Sequence, residues 1–365
     1  MSKVAVATTS QLAADAAREV AEAGGNAVDC ALAAALLTIN TEPGVCALAG
    51  SAFITIWSAG EDPLTVDGNV AVPGKGLADE QRKRGAVEIT MAYGGGIDTL
   101  VGPGSVAVPG TLAAIEDAWK HYGAVPWRTI FEPTIRACRD GFPLSAACRY
   151  YLGYSGDIVF GRSEDGHRAL HRDDGTLIDA GDTVVVPHLA DTLAAIADEG
   201  AALFYEGELA RKISEHCRAG DGMLTREDLA SYRAVERAPL QAHIGDWQLA
   251  TNPPPAVGGA VLTAMLLACA DIDNAEWDAE ALRQLIDAQR ACLDFRQRRL
   301  DLATDVGAEA ASLLEAARYG SLLTRWTSAS TVHTSVVDDS GNGCAITASS
   351  GYGSGEMPAG TGLWL

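Results

Sequence analysis

Basic residues are scarce in this sequence. Its 365 residues include 27 Lys and Arg against 48 Asp and Glu, which gives a formal net charge of -21. Such an excess of negative charge repels phosphate backbones and anionic lipid surfaces, so binding to nucleic acid or to such membranes is disfavoured. Long hydrophobic runs are also missing. The longest mostly apolar stretch, 31–39, is soon followed by Glu42 and Pro43, so we predict no segment that spans a bilayer.

Residues 1–10 lack the basic region, apolar region and cleavage site of a secretory leader, so we expect a cytoplasmic protein. The eight cysteines include no Cys-x-x-Cys pair, and several, such as Cys269, lie in apolar helical contexts. This pattern predicts buried free thiols rather than disulfides or a metal site. Nothing in the sequence calls for a metal or an organic cofactor.

Nucleotide binding is poorly supported by the glycine-rich stretches. Neither Gly94-Gly95-Gly96 nor Gly258-Gly259 comes with a P-loop lysine or with a strand, a GxGxxG turn and a helix. Nucleotide binding therefore stays a weak alternative.

Hydrophobic periodicity predicts an α+β protein with an early and a late β-hairpin. A helix is expected over 11–23, and a second helix over 27–37 is apolar on nearly all sides, which is typical of a helix buried between a sheet and another helix. Strands are expected over 53–57 and 64–67. Before them, residues 47–52 are mainly small and allow backbone segments to approach closely.

The late hairpin consists of an alternating strand from Val332 to Val337, a turn, and a return strand from Gly343 to Ser349. Thr331 stands at its leading edge. Because Ser and Thr are common before strands, Thr331 by itself is most simply a structural residue.

Several linked motifs change that interpretation. Together they resemble the γ-glutamyltranspeptidase family over almost the whole chain, and the most specific of them are Gly24-Gly25-Asn26-Ala27-Val28-Asp29, Glu42-Pro43, Val106-Ala107-Val108-Pro109-Gly110-Thr111 and Thr331-Val332-His333-Thr334-Ser335-Val336-Val337-Asp338. The resemblance implies an N-terminal-nucleophile hydrolase fold, an αββα sandwich of two mostly antiparallel sheets between helical layers.

The resemblance implies that the chain is a proenzyme cut between Ser330 and Thr331. Residues 1–330 would then resemble the large subunit and residues 331–365 the start of the small subunit, and the two would stay together as a heterodimer. A threonine at a new N-terminus has a direct chemical use, because its own α-amine, with a reference pKa of roughly 7.7 to 8.0, can take the hydroxyl proton. His333 is then expected to pack or to form hydrogen bonds rather than to act as an acid or base.

Other site residues follow from the same resemblance. Ser349 falls where the family has a threonine whose hydroxyl binds the nucleophile, and a strand-end role is its ordinary alternative. Gly353 and Ser354 belong to a loop that resembles part of the family's substrate pocket. Asn69 replaces the arginine that holds the substrate's α-carboxylate in γ-glutamyl enzymes, and an amide supplies no charge. Lys75 or Arg82 could compensate only with a different geometry.

The chain also departs from the family in length after Thr331. From Thr331 onward there are only 35 residues (331–365), whereas the family continues to a glycine pair that forms the oxyanion hole. Without those donors we expect slow or no turnover. A fragment, a second chain that carries the missing part, and a degenerate member all remain open.

The leading hypothesis is an autoprocessed amidohydrolase or acyltransferase in which Thr331 attacks a small amide substrate that is not a standard γ-glutamyl compound. A true γ-glutamyltransferase or glutathione hydrolase is the first alternative. A catalytically silent binding or scaffold protein is the alternative from another class. The sequence does not determine the acyl group, the acceptor or the oligomeric state.

Overall fold

The computed structural model describes residues 3–82, 84–270, 272, 278–318 and 331–365. The chain divides into two compact units. The first comprises Met1–Gly60, Val66–Val235 and Ser330–Leu365, and the second comprises Glu61–Thr65 and Glu236–Ala329. The predicted division at Thr331 concerns a cut in the chain rather than a compact unit, and it stays a prediction.

Runs of strands follow runs of helices along the described chain. The strands are β1 (Val4–Ala7), β2 (Ser51–Trp57), β3 (Leu64–Gly68), β4 (Val87–Met91), β5 (Ile97–Val101), β6 (Phe142–Pro143), β7 (Thr183–Val184), β8 (Val235–Arg237), β9 (Leu240–Ile244), β10 (Trp247–Thr251), β11 (Val332–Asp338) and β12 (Gly343–Ser349). The helices are α1 (Gln11–Glu22), α2 (Ala27–Thr41), α3 (Thr111–Tyr122), α4 (Trp127–Asp140), α5 (Ala146–Ser155), α6 (Glu164–Leu170), α7 (Leu189–Glu199), α8 (Ala202–Tyr205), α9 (Glu208–Ala219), α10 (Arg226–Ser231), α11 (Val257–Ala268), α12 (Ala279–Arg298) and α13 (Val306–Arg318).

The main sheet of the first unit brings both ends of the chain together. Five of its strands lie in the order β1, β11, β12, β2, β3. The pairs β1 with β11, β11 with β12, and β12 with β2 are antiparallel. Both predicted hairpins therefore form, and the late hairpin lies between the N-terminal strand and the early hairpin.

Alternation along the strands gives this sheet two different faces. On β2, Ala52, Ile54 and Ile56 are fully buried while the residues between them are half-buried, and β11 and β12 repeat the pattern. Helix α2 packs on β11 and β12, and α1 and α4 pack on α2. The buried faces of these strands thus meet a helical layer, and the opposite face is half-buried to exposed.

Helix α2 is the centre of this layer. All 15 of its residues are buried, as its nearly uniform hydrophobicity predicts. Asn26 caps it: its side-chain oxygen accepts from the N–H of Val28 at 2.8 Å and of Asp29 at 3.1 Å, while the Asp29 carboxylate accepts from the N–H of Asn26 at 3.0 Å. The helix begins where the Gly-Gly-Asn motif predicts and runs four residues beyond the predicted Leu37, to Thr41.

The second unit has a core of its own. Strands β9 and β10 form an antiparallel hairpin, and α11 packs against α12 and α13. Small and aliphatic side chains fill the space between these helices: Ala260, Val261, Ala264, Cys292, Leu300, Ala310, Leu313 and Ala317.

The cysteines are all unpaired, as predicted. Seven are buried and Cys269 is half-buried. Burial raises the pKa of the Cys30 thiol to about 12 and that of Cys148 to about 11, so both are neutral at pH 7. In the part of the chain that the structure describes, no helix combines the length and the apolar character needed to cross a membrane.

Candidate active site

Three hydroxyl residues form a row at one end of the main sheet: Ser51 and Ser349 at strand ends, and Thr331 directly before β11. Ser349 of β12 lies directly opposite Ser51 of β2. On its other side, Val332 of β11 lies opposite Ala348, and one further step in the same register places Thr331 opposite Ser349. Side chains directly opposite each other in an antiparallel pair point to the same face, with Cβ atoms about 4.5–5.5 Å apart. We call Thr331, Ser349 and Ser51 the hydroxyl row.

The strand that carries Thr331 is held firmly behind it. Val332 and Thr334 are buried on the helical side of the sheet, and the hydroxyl of Thr334 lies 2.9 Å from that of Thr8 on the segment after β1. Thr331 itself is exposed. A nucleophile at this position would therefore be accessible while its strand is fixed.

His333 shares the outer face with the hydroxyl row. Its Nδ1 lies 2.8 Å from Oγ1 of Thr347, and its Nε2 lies 2.8 Å from Oγ of Ser335. Desolvation lowers the pKa of this imidazole below its ordinary value. Both ring nitrogens are engaged by neighbouring hydroxyls, which agrees with the hydrogen-bonding role expected from the sequence.

The small-residue run before β2 allows a close backbone approach at the row. A Cβ on Gly50 would lie 2.5 Å from the carbonyl oxygen of Ser349. The carbonyl of Gly50 accepts hydrogen bonds from the N–H groups of Gly110 at 2.9 Å and Thr111 at 3.0 Å, at the start of α3. A larger residue at position 50 would push the end of β12 away, so this glycine helps to set the position of Ser349.

A cleft of about 550 Å³ lies beside the row. Ser51 is the member of the row among its lining residues, and the loop after β12 forms another wall. The described lining residues are mostly small or apolar: Ala49, Gly50, Ser51, Val70, Asp98, Thr99, Leu100, Ser105, Val106, Ala107, Ser350, Gly351, Tyr352, Gly353, Ser354 and Leu365. This volume suits a small-molecule substrate.

The predicted substrate loop is part of that lining. Gly353 has φ +75°, and a Cβ there would lie 2.8 Å from the Phe160 ring, so a side chain is excluded. Ser354 is buried, and its hydroxyl donates to the carbonyl of Leu365 at 2.6 Å and accepts from the N–H of Glu356 at 3.1 Å. Both residues shape the cleft, and the Ser354 hydroxyl is already used to hold the loop.

Asn69 lies just after β3 and is exposed. Its side-chain oxygen accepts from the N–H of Val70 at 3.0 Å, and its own N–H donates to the Asp67 carboxylate at 2.9 Å. The hydroxyl of Tyr232 donates to the Asn69 carbonyl at 2.5 Å. Val70 lines the cleft, whereas Asn69 is absent from its described lining.

The two basic residues considered as substitutes for the missing arginine do not reach the cleft lining. Lys75 instead donates from Nζ to the hydroxyl of Ser231 at 2.6 Å, and its backbone N–H donates to Asp228 at 2.9 Å. Neither Lys75 nor Arg82 is among the described residues that line the cleft. The guanidinium function of γ-glutamyl enzymes thus has no basic counterpart in the described lining.

The structure brings together most, but not all, of the residues predicted from the sequence. Thr331 and Ser349 are neighbours in the row, and Gly353 and Ser354 line the cleft. Ser330, the other side of the predicted cleavage site, lies outside the described residues. No sequence pattern indicated a role for Ser51 or for Asp98, because their positions depend on strand pairings that no local pattern reveals.

The sequence model of the family described as Gamma-glutamyltranspeptidase matches residues 13–365. This chain belongs to that family. The glutathione hydrolase proenzyme of Escherichia coli (strain K12) is 28% identical over 389 residues, which cover 98% of this chain and 64% of that protein. Glutathione hydrolase proenzyme 1 of Schizosaccharomyces pombe is 29% identical over 71% of this chain and 39% of its own length. The chain thus spans less than two thirds of the length of either relative.

Solved structures confirm the fold class. A cephalosporin acylase from Bacillus halodurans superposes with a TM-score of 0.79 at 24% identity, covering 99% of this chain and 68% of that one. A gamma-glutamyltranspeptidase from Pseudomonas nitroreducens, complexed with L-DON, gives a TM-score of 0.69 at 26% identity over 89% of this chain and 96% of that one. The predicted N-terminal-nucleophile hydrolase fold is confirmed. The sandwich of this fold has two sheets. Among the described residues, one large sheet packs against a helical layer.

Proposed function

We propose that this family member is an amidohydrolase or acyltransferase that uses Thr331 as its nucleophile after cutting itself between Ser330 and Thr331. The observation that carries the proposal is the hydroxyl row, in which the register places Thr331 opposite Ser349, beside a cleft of about 550 Å³. The names of the relatives support amide hydrolysis: the Escherichia coli and fission yeast proteins are glutathione hydrolase proenzymes.

Self-cleavage would precede catalysis. The hydroxyl of Thr331 attacks the carbonyl carbon of Ser330, the peptide C–N bond breaks, and the proton passes to the departing α-amine. The resulting ester is hydrolysed by water, which leaves a carboxylate on Ser330 and restores the Thr331 hydroxyl. The product has a free α-amine on Thr331, two bonds from the Cβ atom that carries the hydroxyl. From this position the amine can accept the hydroxyl proton.

The same groups then act on the substrate. The Thr331 hydroxyl attacks the amide carbonyl, its proton passes through the α-amine to the leaving amine, and an acyl ester remains on Thr331. Water or a second amine takes the acyl group and regenerates the hydroxyl. Ser349, opposite the nucleophile, supplies a hydrogen bond that orients it. His333 takes no part in this scheme, because hydroxyls occupy both of its ring nitrogens.

We further infer that the acyl group is not a standard γ-glutamyl group. Asn69 stands where the resemblance expects an arginine, and its side-chain oxygen is used by the neighbouring Val70 N–H. Lys75 is directed to Ser231 instead. A free α-carboxylate would therefore lack a cationic partner, and such recognition normally relies on a bidentate guanidinium.

A glutathione hydrolase is the second candidate, and the names of the relatives favour it. The two candidate functions are distinguished by the rates at which p-nitroaniline is released from two kinds of p-nitroanilide. One carries a γ-glutamyl group, and the other carries an acyl group of similar length without an α-carboxylate. We expect faster release from the latter. A kcat/KM at least tenfold higher for the γ-glutamyl donor would instead establish the second candidate.

The nucleophile is tested with two variants at one position. Thr331→Ala should abolish both self-cleavage and the release of p-nitroaniline. Thr331→Ser keeps a hydroxyl and should retain part of each activity. Release that persists in Thr331→Ala would overturn the proposal. A scaffold protein, the remaining alternative, would show no processing before Thr331 in any of these chains.

A further inference from the structure

The described lining of the cleft beside the hydroxyl row includes an acidic side chain but no basic one. Among the described residues that line it, Asp98 is the one Asp or Glu, and none is Lys, Arg or His. The formal charge of the whole chain, -21, has the same sign as this carboxylate. A cleft lined by one sign of charge concentrates ligands of the opposite sign.

Asp98 is held in place by its cross-strand partner. It lies on β5 directly opposite Thr90 of β4, whose hydroxyl donates to Oδ1 of Asp98 at 2.6 Å. Within the described part of the chain, no basic side chain forms an ion pair with Asp98. The carboxylate is thus oriented by a neutral donor, and the exposed Asp98 is accessible to a ligand.

The hairpin that carries Asp98 is anchored at both ends. At its tip, the ring of Tyr93 packs edge-on against Tyr151 of α5, with centroids 5.1 Å apart and planes at 87°. At its base, the N–H of Gly102 donates to the carbonyl of Ser354 at 2.7 Å. Because Ser354 belongs to the loop that lines the cleft, the second anchor fixes β5 relative to that wall.

From this arrangement we propose that Asp98 makes the cleft select amide substrates that carry an ammonium group on the acyl chain. This inference rests on the proposed function, because it concerns the substrate of the same cleft. An ammonium pairs with the carboxylate at a site with no competing basic side chain in the described lining, whereas a carboxylate on the substrate is repelled. The substrate class is therefore a cationic acyl amide.

The test compares three anilides whose acyl chains have matched length: 4-aminobutyranilide is cationic, pentananilide is neutral and glutaric acid monoanilide is anionic. Their dissociation constants are measured by calorimetry on the full Thr331→Ala chain, so that the result does not depend on turnover. We expect the cation to bind about threefold to tenfold more tightly than the neutral anilide, and the anion more weakly than both. The preference should shrink as salt is added.

Variants of the hairpin locate the source of the preference. Asp98→Asn should bring the cationic and neutral dissociation constants together, and Asp98→Lys should favour the anion. Glu88→Gln removes the same charge from β4, outside the described lining, and should keep the wild-type ratio. A cation preference that survives in both Asp98 variants, or no preference in the Thr331→Ala parent, would overturn the inference.

The outcome is separable from that of the proposed function. Release of p-nitroaniline by the unmodified chain and its loss in Thr331→Ala test the nucleophile, whatever the charge of the acyl chain. Binding ratios that change in the Asp98 variants test the carboxylate, whether or not the chain turns over.

Discussion

The carboxylate of Asp338 accepts a hydrogen bond from the backbone N–H of Ala27, with 3.0 Å between Oδ2 and N. This contact joins the end of β11 to the first turn of α2. Asp338 also accepts from the backbone and side chain of Asn342 in the hairpin turn. Burial raises the pKa of Asp338, but these hydrogen bonds outweigh that effect and lower it below its ordinary value.

Asp338→Asn should therefore destabilise the protein, because an amide loses the charge that favours a helix N-terminus and replaces an acceptor oxygen by a donor. We expect a loss of about 1–3 kcal/mol in the free energy of unfolding, measured by urea denaturation at pH 7. Asp339→Asn, one residue further along, is the control. Since the pKa of Asp338 is lowered by folding, its stabilisation is present above the unfolded pKa and is lost as the pH falls through the folded value. Equal stability of the two variants would contradict this assignment.

Ser349→Ala tests the hydroxyl row. Removal of one hydrogen bond to the nucleophile should slow both self-cleavage and the release of p-nitroaniline by about tenfold. Ser349→Thr keeps a hydroxyl and should retain most of each rate. Ser340→Ala, in the turn of the same hairpin, serves as the matched control. If Ser349→Ala cuts itself and turns over substrate as fast as Ser340→Ala, Ser349 is only a strand-end residue.

His333 provides a prediction for pH. Its pKa in the folded protein is lowered by desolvation, so below about pH 6.5 the unfolded chain takes up a proton that the folded chain resists. Stability from this residue is thus present at neutral pH and falls as the pH drops through the unfolded pKa towards the folded one. His333→Gln should lose less thermal stability between pH 7 and pH 5 than the wild type does.

The comparison for that prediction is His243→Gln, which removes an exposed histidine from β9. The measurement is the melting temperature of the wild type, His333→Gln and His243→Gln at pH 7 and at pH 5. If His333→Gln and His243→Gln show the same change with pH as the wild type, His333 makes no such contribution.

The sequence predicted local features of the site better than its assembly. Alternating hydrophobicity predicted the strand that begins directly after Thr331 and the strand that ends at Ser349, and the Gly-Gly-Asn motif predicted the start of α2. Ser51 was missed because its place beside Ser349 depends on the pairing of β2 with β12, which are distant in the sequence. The role of Lys75 also required the structure, since its contact with Ser231 links segments far apart in the chain.

Asp98 illustrates the same limit. An isolated carboxylate in a short strand is ordinary in any acidic protein, and no spacing in the sequence relates it to Thr331. Its relevance comes from the β4 and β5 hairpin, whose base is fixed to Ser354 beside the cleft. Long-range packing, rather than local propensity, therefore determines which charges a substrate would meet.

The intact mass of the purified chain after prolonged incubation shows directly whether the chain cuts itself before Thr331. We predict two fragments that together contain all the residues, with the second fragment beginning at Thr331, and a single uncut chain for Thr331→Ala. A wild-type chain that stays uncut, or one that is cut at another bond, would mean that Thr331 does not become an N-terminal nucleophile.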